Sequence, residues 1–209
     1  NFSNIGHQGY FNSSRKIELM DKMFFETLRL GEMNRQIEFT EPLIRNADMV
    51  SFDLKSINSS YFPGNPIPMP NGINGEQACQ MMWYAGLSDK LSSIGLYGFS
   101  NDDKSIGALL IAEMIWYFAE GYSHRKGDYP KENIRNYTKY TINLNDEEHE
   151  LIFYKSPKSD RWWVEIPYPD GKEARYFRHL IAPCTYDDYK IASEGDMPDI
   201  WWKTYQKLI

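Results

Sequence analysis

Cysteine is nearly absent from this chain: two in 209 residues. Cys79 and Cys184 stand far apart, without the paired spacing of a metal knot or a disulfide framework. Both read as small buried hydrophobes, one on a predicted helix and one after a predicted strand. A reducing, cytoplasmic compartment is the expectation. Long apolar runs are lacking too, for no stretch of about 18 apolar residues occurs, which excludes a membrane-spanning helix. Positive charge is in short supply, with 23 Lys and Arg against 29 Asp and Glu and a formal net charge of -6. A basic face able to displace counterions from nucleic acid is therefore not expected. There is no internal repeat, and no initiator Met: the chain opens at Asn1 on a strand-like segment and reads as a piece of something longer.

What is present is ordinary for a globular protein, with 42% hydrophobic and 25% charged residues, except for a high aromatic share of 15%. A short strand is predicted over Phe2–Ile5, closed by Gly6. Ile17, Met20, Met23, Phe24 and Leu28 recur at helical spacing, predicting a helix over Arg15–Leu30 with Gly31 as its stop, and a second over Met33–Ala47. Met49–Leu54 has the length and apolarity of a buried parallel strand. Phe62–Gly72 holds four prolines and two glycines, which forbid helix or inner strand and indicate an ordered loop. Asn74 and Gln77 can form a capping box for the next helix, which ends near Gly86. A strand over Ser92–Phe99 and a long apolar helix over Lys104–Tyr122 follow. Strand, helix, strand, helix in this order indicates a parallel sheet with covering helices.

The character changes between His124 and Tyr137. Tyr140, Ile142 and Leu144 alternate, as do Leu151 and Phe153, and Trp162–Ile166 follows a Pro-Lys-Ser-Asp turn, so hairpin pairing is predicted. A further strand over Tyr176–Ile181 and short helices over Tyr186–Ser193 and Pro198–Lys207 complete the reading. The fold class is α/β over residues 1–124, with a small aromatic-rich antiparallel α+β extension over 137–209.

The first 120 residues carry a resemblance. Asn4-Ile5-Gly6, Ser51-Phe52-Asp53-Leu54-Lys55, the Phe62-Pro63-Gly64 loop leading to the Glu76-bearing helix, and Ser93–Asn101 resemble, in order and spacing, segments of the ureohydrolases (arginase, agmatinase and formimidoylglutamase relatives). The tail with Asp160-Arg161-Trp162-Trp163 and Trp201-Trp202-Lys203 resembles a bacterial subgroup bearing an extension. The resemblance implies part of a three-layer α/β/α parallel sheet with a binuclear Mn²⁺ site at the carboxyl ends of its strands. Two metals there activate a bridging water for attack on a guanidinium or formimino carbon. It further implies that two of three ligand segments lie in an upstream half of the same protein. Trimers or hexamers of the whole are also implied.

Asp53 matches the first carboxylate of the family's Asp-x-Asp pair, whereas Lys55 occupies the second position. Leu54 between them is expected to face away, so residues 53 and 55 share one face of the strand, which lets the Lys55 ammonium take a vacated metal position and neutralise Asp53. Gly98, or Tyr97 if the register slips by one, falls where the family has a glutamate, and His7-Gln8-Gly9-Tyr10-Phe11 stands where it has acidic substrate contacts. These departures favour a non-catalytic binding or scaffold role. The alternative is a metal-dependent hydrolase of linear amidines, with ligands supplied from upstream. His7 is a candidate substitute ligand, though a lone His there is more often hydrogen-bonded locally. Glu76 suits the first turn of its helix without any further role. His149 and His179 have no second ligand at metal spacing. The paired tryptophans are Trp162 with Trp163, which as strand neighbours point to opposite faces, and Trp201 with Trp202. They serve either two cores or a protein-partner surface.

Overall fold

A computed structural model of the chain describes residues 2–65, 67–99, 106–130, 134–144, 150–167 and 180–208. These cluster into two compact units. An α/β unit holds Ser3–Ser13 and Thr27–Gly127, and an aromatic unit holds Phe2, Ser14–Glu26 and the described residues from Asp128 onward. Among the described residues, no helix is long and apolar enough to cross a membrane.

The α/β unit begins with β1 (Ser3–His7), which pairs with β2 (Glu26–Arg29); α1 (Ser14–Lys22), between them in sequence, belongs to the aromatic unit, as does Glu26. The single helix expected over Arg15–Leu30 is thus two elements. Phe24 adopts φ 52°, which ends the helical path, and Glu26 and Leu28 alternate inward as strand residues. Pairing with β1 overrides the helical spacing, as tertiary contacts commonly override local propensity. The helix expected over Met33–Ala47 is also divided, into α2 (Leu30–Arg35), a 3₁₀ turn (Ile37–Phe39) and α3 (Thr40–Arg45). Gln36 is extended there, at φ −147° and ψ 91°. Gly31, expected to stop a helix, lies inside α2.

β3 (Met49–Asp53) and β4 (Ser93–Tyr97) are parallel neighbours, with Met49 opposite Ser93 and Asp53 opposite Tyr97. Their connection is the Pro-rich loop followed by α4 (Gly75–Leu87), and α5 (Ile106–Ser123) comes after β4. The capping box at the start of α4 is formed. The Gln77 backbone N–H donates to the Asn74 side chain at 2.8 Å, and the Asn74 N–H donates to Gln77 Oε1 at 3.1 Å. The long loop closes on itself through a parallel bridge between Ile57 and Ile73.

Phe52, Leu54, Ile57, Ala78, Met82, Leu110 and Met114 form the core, with Val50, Ile94 and Leu96 packed against it. The opposite side of β3, made by Met49, Ser51 and Asp53, is exposed. The buried parallel strand expected here is therefore covered on one side. Within the described residues the unit contains two two-stranded sheets, so the three-layer sheet is represented in part.

The aromatic unit is built on one antiparallel sheet in the order β5 (Thr138–Asn143), β6 (Glu150–Lys155), β7 (Trp162–Glu165) and β8 (Ile181–Cys184). Of the strand expected over Tyr176–Ile181, residues 176–179 lie outside the described residues; the described strand runs from Ile181 to Cys184. α6 (Tyr186–Ser193) coincides with its predicted range, and α7 (Asp199–Gln206) falls within its own. Leu151, Phe153, Trp162, Val164, Ala182, Ala192 and Trp201 share a core. Trp162 stacks on Tyr189 with centroids 4.8 Å apart.

Trp163 points to the other face, as alternation requires, yet it is only 1% exposed. The Tyr137 ring meets it edge-on at 5.5 Å. Asp128 accepts from Ser159 Oγ and lies 3.8 Å from the Arg161 guanidinium. Trp201 is buried as well, its indole N–H donating to the Glu165 carbonyl at 3.0 Å. Trp162, Trp163 and Trp201 are thus buried, whereas Trp202 is 46% exposed.

Candidate functional site

The carboxyl ends of parallel strands gather the residues that the sequence singled out. β3 stops at Asp53 because residues Leu54–Ser56 turn into a 3₁₀ helix, with Leu54 fully buried beneath them. Asp53 is the N-cap of that turn. Its Oδ1 accepts the Lys55 backbone N–H at 3.0 Å, and its carbonyl accepts from Ser56 Oγ at 2.7 Å. Such capping satisfies a donor that would otherwise be orphaned at the start of a helix.

The expectation that residues 53 and 55 share one strand face fails because the strand has already ended. Asp53 and Lys55 are adjacent through the turn, and the contact is between carboxylate and backbone. Within the described residues, no ion pair joins the Lys55 ammonium to the Asp53 carboxylate at 4 Å or less.

Gly98 closes this group. It follows β4 at φ +88°, a backbone conformation side-chain-bearing residues rarely adopt. A Cβ placed there would sit 3.1 Å from Asp53 Oδ1 and 3.4 Å from Lys55 Cγ. The structure therefore brings Asp53, Lys55 and Gly98 together, as their matching family positions imply. Beside them is Tyr97, whose ring folds back over Gly95 so closely that a Cβ on Gly95 would meet it at 2.6 Å. Buried Asn65 supports the turn from the loop side, donating to the Lys55 carbonyl at 3.3 Å and accepting the Ile67 N–H at 3.1 Å. Asn65 did not stand out in the sequence. A signal for Asn65 was its position between Gly64 and Pro66, where an Asx turn relieves a restricted backbone.

His7 ends β1 and is buried, and its Nδ1 has no hydrogen-bond partner among the described residues. Gln8 and Asn71 exchange hydrogen bonds, Gln8 Nε2 to the Asn71 carbonyl at 3.3 Å and Asn71 Nδ2 to Gln8 Oε1 at 3.0 Å. Ile73 in turn donates to the Ser56 carbonyl at 2.9 Å. The end of β1, the base of the loop and the turn after β3 are thus laced together. Glu76 stands in the first turn of α4 and lines a groove between α4 and α5. His149, His179 and Asn101 lie outside the described residues.

As a donor set this does not fit a divalent ion by itself. It offers one carboxylate, already capping a turn, next to an ammonium and a glycine. Among the described residues no group of three or more His, Cys, Asp or Glu side chains is placed to hold a metal. What the arrangement can do chemically is accept one hydrogen bond and present an isolated cation at a strand end.

No family model and no curated protein sequence matches the chain. Solved structures do. The chain is similar to formiminoglutamase of Trypanosoma cruzi with Mn²⁺, at a TM-score of 0.53 and 19% identity over 58% of this chain and 43% of that one. An arginase superfamily protein from the same organism scores 0.52 at 19% identity, covering 58% and 43%. Formimidoylglutamase from Bacillus subtilis scores 0.52 at 14% identity, covering 58% and 41%.

The architecture is therefore that of the arginase-like, or ureohydrolase, fold. The neighbours within that class include formiminoglutamases, and at these identities the likeness establishes the fold. The chain spans about two fifths of the length of the structures it matches.

Proposed function

We propose that this chain is an arginase-like unit with a binding or scaffold role, its metal-facing strand end converted into a capped turn. One observation carries the reading: the carboxylate that would hold metal accepts the backbone N–H of the residue two positions on, and that residue is a lysine. Placing an ammonium where a second carboxylate would stand changes the local charge by two units. At about 4 Å and an effective dielectric near 20, each unit contact is worth roughly 4 kcal/mol. That weighs against a divalent cation at this spot. In this reading the rest of the arginase-like fold is supplied by an upstream half of the same protein, and whole molecules associate as oligomers.

A second reading has its own support. Asp53 and Gly98 stand at the carboxyl ends of parallel strands, where α/β folds place ligands, and the T. cruzi neighbour is described with Mn²⁺. In that reading the protein is a metal-dependent hydrolase of linear amidines, and ligands from outside this chain complete the centre.

Metal content of the full-length protein decides between them. The binding reading expects well under about 0.1 Mn²⁺ per chain, with Lys55→Asp raising it. About one to two Mn²⁺ per chain, together with formiminoglutamate or arginine hydrolysis, overturns it.

A further inference from the structure

β1 has little in its own sequence to fix its register. Ser3, Asn4, Ile5 and Gly6 are all half-buried, and only His7 is buried. A slip of one residue along the partner strand turns every side chain to the other face, and register is weakly specified where no face is clearly the buried one. Two strands alone are also marginal in water. His7 is nevertheless buried, although no hydrogen bond among the described residues holds its Nδ1. Its inward placement therefore follows from the register of β1 on β2.

Both strands are held at their starts. Phe2 and Phe25, each the residue before its strand, meet edge-on with ring centroids 5.8 Å apart. Glu26, the first residue of β2, is buried. Its Oε1 accepts from Lys207 Nζ at 3.4 Å, and its Oε2 lies 3.5 Å from Lys203 Nζ. Lys203 is in the last turn of α7 and Lys207 caps that helix, so the two ammoniums lie on one helix face and grip both carboxylate oxygens. Glu26 and Lys207 are largely sheltered from solvent, which spares this contact the screening that weakens exposed ion pairs. Phe2, Phe25 and Glu26 all cluster with the described residues from Asp128 onward. From Leu28 the chain packs into the core of the α/β unit instead.

We infer that Glu26, clasped by Lys203 and Lys207, is a positioning residue: it pins β2 and, with the Phe2–Phe25 pair, sets the register of β1 that turns His7 inward. α7 thereby acts on the end of β1 through two strands, and the C-terminal extension becomes part of what shapes the candidate site. The inference goes beyond both readings of function above and stands whichever of them holds, because it is measured without metal.

The test uses the full-length protein with isotope-labelled histidine, the His7 ring signal being identified by its loss in His7→Gln. The probe is Glu26→Gln with Lys207→Met, which removes the clasp without leaving Lys207 buried and uncompensated. Amides of β1 and β2 should exchange about tenfold faster than in the parent, while those of β5 to β8 stay within about twofold. The His7 ring signal should move toward that of a histidine in the unfolded chain. Reversing the clasp, Glu26→Lys with Lys203→Glu and Lys207→Glu, should bring both readings back to the parent's. Parent-like exchange in β1 and β2 with an unmoved His7 signal overturns the inference. So does equal acceleration in β5 to β8, which would reduce the clasp to general stability. Should these variants fail to fold, Lys203→Gln leaves one ammonium in place: about threefold faster exchange in β1 and β2 alone supports the pin, and no change overturns it.

Discussion

The two units use their sheets in opposite ways. In the aromatic unit, neighbouring residues of β7 point to opposite sides and both are buried, Trp162 among Tyr140, Phe153 and Tyr189 and Trp163 against Tyr137. In the α/β unit, neighbouring residues of β3 also point to opposite sides, but only the side of Val50 and Phe52 is packed, while Met49, Ser51 and Asp53 are open. Parallel strands ordinarily have both faces covered because their crossovers place helices there. One unit therefore satisfies its alternation internally, whereas the other leaves surface for something else to meet.

Four measurements can break or sharpen the contrast. The largest effect is expected from Trp163→Ala. If the second face of the antiparallel sheet is true core, losing a fully buried indole costs about 4 kcal/mol, in the range of large-to-small aromatic substitutions. Equilibrium urea unfolding with near-ultraviolet dichroism reads it. A loss below about 1 kcal/mol would mean that the second face is mere cover and that the units differ little.

Next is Gly121→Ala in the α/β unit. The added methyl would lie 2.4 Å from a backbone oxygen of α4, and backbone cannot give way as a flexible side chain can. About 3 kcal/mol of destabilisation follows, visible as faster amide exchange in α4 and α5. Unchanged exchange would show that the helices do not depend on this close approach.

A smaller loss, about 2 kcal/mol, is expected for Glu26→Gln in the aromatic unit. Glu26 lies 3.4 Å from Lys207 and 3.5 Å from Lys203. Burial lowers the Lys207 pKa, and the Glu26 charge partly offsets this. A base whose pKa is lowered by folding opposes folding at all pH values below that pKa, so at neutral pH the carboxylate is what compensates. Adding Lys207→Met should recover most of the loss. If the double variant is no more stable than Glu26→Gln alone, the carboxylate has another task.

How much of this was legible from the residues follows the kind of interaction each element depends on. The capping box at Asn74 and Gln77 and the ranges of α4 and α6 were readable because spacing and local hydrogen bonds set them. The break at Phe24 and the strand Glu26–Arg29 were not, because the strand exists through pairing with β1, more than fifteen residues away. At the site, Asp53, Lys55 and Gly98 could be singled out from a resemblance in order and spacing, and they do lie together. The 3₁₀ turn that redirects Lys55 was hidden: nothing in Leu54-Lys55-Ser56 announces that Leu54 is drawn into the core.

The smallest effect probes the cap of α6, where local chemistry and burial oppose each other. Thr185 and Asp188 form a capping box: the Asp188 N–H donates to Thr185 Oγ1 at 3.1 Å, and the Thr185 N–H donates to Asp188 Oδ2 at 2.7 Å. These bonds favour the carboxylate, yet burial outweighs them and holds the Asp188 pKa above its ordinary 3.8. An acid whose pKa is raised by folding imposes no cost below its ordinary value, where both states are protonated. It costs stability as pH rises through the folded value. Asp188→Asn removes that titration. The stability difference, variant minus parent, should therefore increase from about pH 3 to about pH 7, by less than the roughly 1 kcal/mol that a helix cap is worth. Thermal unfolding of the pair at both pH values measures it. A difference that instead shrinks with pH would mean that capping prevails over burial at this helix end.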